Sequence, residues 1–523
     1  MWVLIVFLAY LALLAGIGVY CTRFNRTLAD FVLGGRRLGA WVTAVSAQAS
    51  DMSAWLLIGL PAVAFVDGLS AIWAVIGCGA GTVFNWVVIA PRLRRATEAG
   101  GSLTIPDYLA LRYGEGRLRL VRVVSVLVIV LAYATYIASQ FMAAGKVFET
   151  TFGGQLGTTT FSLPVPWGTL EYSHPYHTGT LVGVGIILLY TAMGGFTAVA
   201  WTDLAQGLLM VLTVLVLPLV GLVGLGGLAV MTGRIAEVNP NLLSVAGAKG
   251  ASGMAFWMGV CVAGLSWGLG YPGQPHILVR FMALRDPKDM RRAAVIGITW
   301  VVLAMTGAVF VGLVGRALLG ELADADHVMP ALAVRLMHPA VAGVMIAGAV
   351  AAMMSTVDSQ LLVAASAVEE DIYIRLLGGR PGDRRAVWFG RLTVLALGAA
   401  ALPIAWSRAG VFQTVLNAWG VLAAGLGPAI ILGLLTRRTN RWGAFAGMLV
   451  GAGIAQFWRW VHPLLADAVG PDLHALLANG LVLGFFANLA IAYFLSLLTG
   501  GAPVPPPAAG NCGRQSPAER SLP

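Results

Sequence analysis

The chain has 523 residues, of which 58% are hydrophobic and only 11% charged, with a mean hydropathy of +0.83. A water-soluble domain carries roughly twice that charged fraction, so the composition excludes a soluble enzyme or binding module and points to an all-α polytopic membrane protein. The net charge of +10 would suit nucleic acid, but its distribution along the chain assigns it to a membrane surface, and no nucleic-acid partner is expected.

Windows of about 20 apolar residues match a hydrocarbon core about 30 Å thick. Thirteen such spans are predicted, at 1–20, 39–66, 70–91, 120–145, 178–194, 200–228, 252–272, 293–315, 339–366, 389–407, 411–436, 442–462 and 475–499. The first span lacks a preceding basic segment and a clear cleavage site, and Arg23 and Arg26 follow it. It reads as an uncleaved span with its N-terminus outside. On that footing 26 of the 33 Lys and Arg residues fall in segments predicted to be cytoplasmic. This asymmetry is a positive-inside signal; it puts the C-terminus inside and the basic surface against anionic membrane lipids.

Between spans, the external segment 147–177 is rich in Thr, Pro and aromatic residues and suits a small hairpin or lid. His174 and His177 lie within it and are expected to be solvated. The tail 500–523, rich in Pro, Gly and Ala, is expected to be disordered. Cys21, Cys78, Cys261 and Cys512 show no metal or redox spacing. No nucleotide-binding loop is present in the sequence, which argues against a primary pump.

The second span holds Ser46–Trp55, SAQASDMSAW. Asp51 there is an ionisable group at membrane depth, which is costly unless it faces protein, water or an ion. Ser, Asp and Ser compete with the backbone for hydrogen bonds, so Ala49–Ser53 is the predicted break. An unwound turn frees carbonyls that suit a hard cation such as Na⁺. The alternative is a polar stripe that only packs against neighbouring helices.

About two hundred residues later, SWGLGYPGQP interrupts the seventh span with glycines and prolines. Trp267 and Tyr271 are four apart and share a face if helix persists between them. Paired interruptions in two halves point to a transporter's binding site. In the ninth span, AAMMSTVDSQ, the hydroxyls of Ser355 and Thr356 sit among small residues. Asp358 and Ser359 follow on the same side. Asp203 opens the sixth span, where favourable interaction with the helix dipole is a sufficient structural explanation. Tyr136 is an aromatic hydroxyl in the fourth span. An intramembrane hydrolase would need Asp51 to converge with Asp203 or Asp358 around water, and a channel would show flux that neither saturates nor needs Na⁺.

The segments SAQASDMSAWLLIGLP, AVAWTDLAQG, SWGLGYPGQPHILVRFMA, AAMMSTVDSQLLV and SAVEEDIY, in this order, resemble the sodium:solute symporter family over about residues 30–450, and within it the proline-transporting members most. The resemblance implies a LeuT-type core of five spans repeated with inverted topology. Residues 39–228 would form the first repeat and 229–436 the second. Residues 1–38 would precede them as a span and a cytoplasmic loop, and 437–499 would add two spans.

The resemblance also implies Na⁺-coupled symport of L-proline by alternating access in a bacterial cell membrane, with no enzymatic activity. Another amino acid, a monocarboxylate, pantothenate or a sugar is the alternative solute. The Na⁺ ligands carried over by motif are the carbonyls of Ala49, Met52 and Ala352 and the hydroxyls of Ser355 and Thr356, with Asp51 as supporting charge. The solute pocket would comprise Ser53, Ala54, Tyr136, Trp267, Tyr271 and Pro275. Asp203, Ser355, Asp358 and Ser359 would form a second cation or proton site. The chain departs from the proline-transporter pattern at Ala54, where glycine is expected, at Pro272, where an aromatic is expected, and at Asp358, where a small polar residue is expected.

Overall fold

The computed structural model describes residues 2–21, 32–156, 159–165, 168–191, 195–380, 384–407, 410–465, 477 and 479–500. The predicted disordered tail therefore lies, apart from Gly500, outside the described residues.

Helix dominates. In chain order the first half contains α1 (Trp2–Cys21), α2 (Ala40–Ala54), α3 (Leu60–Asp67), α4 (Ile72–Phe84), α5 (Ala90–Gly100) and α6 (Ile105–Tyr113). The long α7 (Leu120–Leu156) leads to a hairpin of β1 (Thr159–Val165) and β2 (Gly168–His174), then α8 (Tyr176–Thr191) and α9 (Phe196–Leu225). The second half contains α10 (Leu228–Val238), an irregular helical stretch ending in the 3-10 turns of Ser266–Gly273, then α11 (Pro275–Ala283) and α12 (Met290–Leu319). It continues through α13 (Val328–Leu336), α14 (Pro339–Ser366), α15 (Arg384–Ala405), α16 (Val411–Leu435), α17 (Arg441–Val461) and α18 (Gly480–Leu498).

Among the described residues, eight helical stretches are long and apolar enough to cross a membrane. One of them, Ala40–Gly100, covers two predicted spans through wide i→i+5 turns at Trp55–Gly59 and Asn85–Ile89. The first, fifth, seventh and twelfth predicted spans are also helical, but shorter, interrupted or less apolar. The hairpin expected within 147–177 is present, with Thr159 opposite His174 and Val165 opposite Gly168. His177 departs from expectation: it is 1% exposed in the first turn of α8, where its ring stacks on Tyr172. The site's scaffold is α2, which packs against α9, α11, α12 and α14, while α16 covers the Ser266–Gly273 turns.

Glycine sets the closest of these approaches. A Cβ on Gly268 would stand 2.4 Å from the Gly77 carbonyl, so α4 and the second break meet backbone to backbone. At one end of the bundle the Arg285 N–H donates to the Leu38 carbonyl (2.9 Å), tying the chain before α2 to the chain after α11. There the SAVEEDIY segment serves as an anchor: Asp371 is hydrogen-bonded by Thr104 (2.6 Å) and ion-paired with Arg122, which also pairs with Asp107 (3.0 Å).

Candidate functional site

Helix α2 runs unbroken through Met52 and turns sharply at Ser53, whose φ of +44° and ψ of −168° are sparsely populated by L residues. The break thus lies at the last residue of the predicted Ala49–Ser53 segment. It frees backbone groups in the protein interior, and two of the N–H groups find partners. Ala54 N–H donates to Gln140 Oε1 of α7 (2.8 Å), and Trp55 N–H donates to the carbonyls of Met52 and Ser53. Gln140 Nε2 in turn donates to Ser139 Oγ (2.9 Å).

Just before this break, α14 supplies hydroxyls to the α2 backbone. Ser355 Oγ donates to the Ala49 carbonyl (2.9 Å) and lies 3.1 Å from that of Ala352. Thr356 Oγ1 donates to the Ser50 carbonyl (2.9 Å). Of the five predicted Na⁺ ligands, Ala49, Ala352, Ser355 and Thr356 therefore converge. The Met52 carbonyl is turned to the break, and the Ser50 carbonyl joins the group unanticipated. Hydroxyl and carbonyl oxygens from two helices, one of them about to unwind, form the donor set a hard monovalent cation takes.

Asp51 is 1% exposed and flanked by Tyr271 and Cys78. Among the described residues, no donor reaches either of its carboxylate oxygens with hydrogen-bonding geometry. The hydroxyls of Tyr136, Tyr271 and Thr82 and the Trp55 indole N–H are likewise buried with no partner in hydrogen-bonding geometry among the described residues. Each such group costs about 1–3 kcal/mol if left unsatisfied. Several together mark space for water, an ion or a polar solute.

Aromatic rings wall the same region. Trp55 stacks on Trp267 at 4.7 Å between centroids, Trp267 meets Phe412 at 5.1 Å, and Tyr271 meets Trp419 edge-on at 5.1 Å. The Trp419 indole N–H donates to the Trp267 carbonyl (3.1 Å), which fixes the wall to the second break. The 3-10 turns of Ser266–Gly273 replace the predicted α-turn, yet both Trp267 and Tyr271 still reach Trp419. The chain then extends at Gln274 (φ −99°, ψ 98°) and Pro275 starts α11. Ser53, Ala54, Tyr136, Trp267, Tyr271 and Pro275 are all buried here. Trp55, Gln140, Phe412 and Trp419 belong to the wall and were not singled out from the sequence.

The Asp203 region differs most from expectation. Asp203 lies two turns inside α9, which begins at Phe196, so a first-turn dipole does not explain it. Its Oδ2 accepts from Ser46 Oγ (2.7 Å), Ser50 Oγ (3.1 Å) and Arg280 Nη2 (3.0 Å). Arg280 follows the seventh predicted span, among the segments whose basic residues the sequence assigns to the cytoplasm. It is instead fully buried on α11, where it also donates to Ser46 Oγ (3.2 Å) and the His276 carbonyl (2.5 Å) and bonds Ser359 Oγ. Ser359 Oγ donates to the Ser355 carbonyl (2.6 Å), which places this cluster next to the oxygen group above. Asp358 is buried beside Asp203, Arg280 and Ser359, and among the described residues no donor reaches its oxygens with hydrogen-bonding geometry.

The sequence and the fold have known counterparts. The model of the sodium:solute symporter family matches residues 31–166 and 169–451. The high-affinity proline transporter PutP of Bacillus subtilis is 37% identical over 489 residues, 92% of this chain and 95% of that protein. Sodium/proline symporter 2 of Staphylococcus saprophyticus is 36% identical over 510 residues, 95% of this chain and 92% of its own length. A solved Na⁺-coupled sialic acid symporter, in a substrate-bound outward-open state, superposes with a TM-score of 0.74 over 97% of this chain and 99% of its own at 18% identity, a likeness of fold. Two broken helices facing each other, with a family match across both, lead to one conclusion: this chain is a multi-pass membrane protein that belongs to the sodium:solute symporter family.

Proposed function

We propose that the protein is a Na⁺-driven symporter that carries L-proline into the cell by alternating access. The observation that carries this reading is the junction of α2 and α14. The oxygens of Ala49, Ser50, Ala352, Ser355 and Thr356 gather next to Asp51, a buried carboxylate with no hydrogen-bond partner among the described residues. The aromatic wall of Trp55, Trp267, Phe412 and Trp419 stands immediately beyond. The names of the PutP and sodium/proline symporter relatives supply the solute.

In this reading Na⁺ binds the hydroxyl and carbonyl oxygens, with Asp51 as nearby negative charge. The occupied group joins α2 to α14 and fixes the backbone on both sides of Ser53. The apolar ring of proline rests on the tryptophans, and its charged ends meet the orphaned polar groups of Tyr136, Tyr271 and the break. Each ligand then favours the other, by about 1–3 kcal/mol for typical coupled sites. The membrane potential adds about 2.3 kcal/mol per charge per 100 mV.

The same reading divides the thirteen spans into repeats over 39–228 and 229–436, with the N-terminus outside and two extra spans over 437–499. Asp203 already has Arg280 as its counter-charge, so a second cation or proton would be held by Asp358 with Ser355 and Ser359. A hydrolase is disfavoured, because Asp203 is engaged by Arg280 and two serines while Asp51 sits with Tyr271 and Cys78.

The test is radiolabelled L-proline uptake into proteoliposomes with and without an inward Na⁺ gradient. Saturable uptake that needs the gradient supports the reading. Uptake of another solute in its place would keep the mechanism and change the substrate. Gradient-independent, non-saturating flux would overturn it.

A further inference from the structure

Apart from the transport site, one cleft combines features with no role in the mechanism above. It lies between α5, α6 and the end of α16 and has a volume of about 470 Å³. Four arginines line it, Arg92, Arg95, Arg112 and Arg437, and none of its lining residues is acidic. All four belong to segments that the basic-residue asymmetry assigns to the cytoplasmic face.

The cleft is built rather than incidental. Arg112 is fixed by two backbone carbonyls, donating from Nε to Gly433 (2.7 Å) and from Nη2 to Thr436 (2.5 Å). Among the described residues this leaves its Nη1 buried without a partner, and the Tyr108 hydroxyl on the same lining is buried and unpartnered too. A fixed guanidinium and a phenol that both lack an acceptor are complementary to an oxyanion. Among the described residues, Arg92 and Arg95 bond only the carbonyls four residues before them, Val88 and Pro91, so their charge is not cancelled by an acid there. The other wall is apolar and open, with Leu111 and Leu435 exposed beside the arginines. Charge below leucine, at the ends of membrane helices, matches a phosphate that carries hydrocarbon chains.

We propose that this cleft binds the phosphate of an anionic phospholipid of the cytoplasmic leaflet, with Arg112 and Tyr108 at its base and Arg92, Arg95 and Arg437 around it. Bound lipid would join α5 and α6 to the end of α16. Basic pockets between helices on the cytoplasmic side are a known means of holding such headgroups.

The experiment titrates the purified full-length protein with fluorescent phosphatidylglycerol, with phosphatidylcholine as the neutral comparison and inorganic phosphate as a separate competitor. Wild type should bind phosphatidylglycerol more tightly than phosphatidylcholine. Arg92→Gln and Arg437→Gln, both at exposed positions, should each weaken it about fivefold and together about 25-fold. Arg438→Gln is the control: that arginine is exposed and adjacent but reaches Tyr493 (3.4 Å) instead of the cleft, and should leave binding unchanged. Equal binding by wild type and the double variant would overturn the proposal, as would an equal loss in the Arg438 control. Displacement by inorganic phosphate at concentrations matching the lipid would overturn the lipid assignment in favour of a free anion. If the double variant does not fold, the wild-type comparison of the two lipids decides alone, and equal affinities count against the site. None of these readouts depends on transport.

Discussion

Arg280 donates to Asp203 across 3.0 Å with both side chains fully buried, joining α11 to α9 in the middle of the bundle. Removing one member of such a pair leaves an uncompensated charge in the interior and costs about 3–5 kcal/mol. Arg280→Gln should therefore lower the thermal stability of the detergent-purified protein markedly. Asp203→Asn combined with Arg280→Gln should recover much of the loss, because both charges are gone. Equal stability of wild type and Arg280→Gln, read from thermal melting, would contradict this role.

Gln140 Oε1 accepts the Ala54 N–H at the α2 break across 2.8 Å. Gln140→Leu removes the acceptor and leaves a buried donor unsatisfied, at about 1–3 kcal/mol. The expected outcome is a raised KM for the solute, with Gln140→Glu closer to wild type because it keeps an acceptor oxygen at that position. A leucine variant with unchanged uptake kinetics would show that the break needs no support from α7.

Close packing at the second break gives a steric prediction. A methyl group on Gly268 would lie 2.4 Å from the Gly77 carbonyl, and backbone cannot move aside as a flexible side chain can. Gly268→Ala should cost about 1–3 kcal/mol in overpacking and reduce transport. Surface expression and uptake measured together separate the two effects, and a fully active variant would contradict the packing described.

Lys146 links α7 to the loop before α13 through Asp326 (2.6 Å) and Asp324 (2.7 Å). Burial opposes ionisation of Asp324, but hydrogen bonding and attraction to Lys146 outweigh it and hold the carboxyl below its ordinary value. A lowered native pKa means that this contribution is present above the unfolded-state value, about 3.9, and fades as pH falls through the lower native value. Lys146→Met should flatten that acid limb of the stability profile. Thermal melting across pH tests it, and an acid limb identical to wild type would exclude the link.

What the sequence made legible follows from how rare polar atoms are in apolar spans. Asp51, Ser355 and Thr356 stood out because a carboxylate or adjacent hydroxyls at membrane depth need a reason, and the glycines and prolines of 264–276 announced a break. Arg280 was hidden by its position: five residues after Pro275 and five before Arg285, it looked like the start of a basic loop. Only the short half-helix α11 carries it back into the core. Trp419 and Phe412 gave no signal because an aromatic in an apolar span is ordinary; their role appears when α16 is laid over the Ser266–Gly273 turns. The burial of His177 is illegible for the converse reason, since a polar loop composition does not reveal that α8 starts within it. Gln140 looked like one more polar residue on a long helix until Ser53 turned the neighbouring N–H toward it.

The account rests on one cation site, between α2 and α14, being coupled to the solute pocket. The most direct measurement is equilibrium binding of radiolabelled L-proline to the purified protein as a function of Na⁺ concentration, for wild type, Ser355→Ala and Asp51→Asn. Na⁺ should raise proline affinity in the wild type, and both variants should need at least tenfold more Na⁺ for the same effect, about 1.4 kcal/mol of lost coupling. Proline binding that responds to Na⁺ identically in all three proteins would contradict the site.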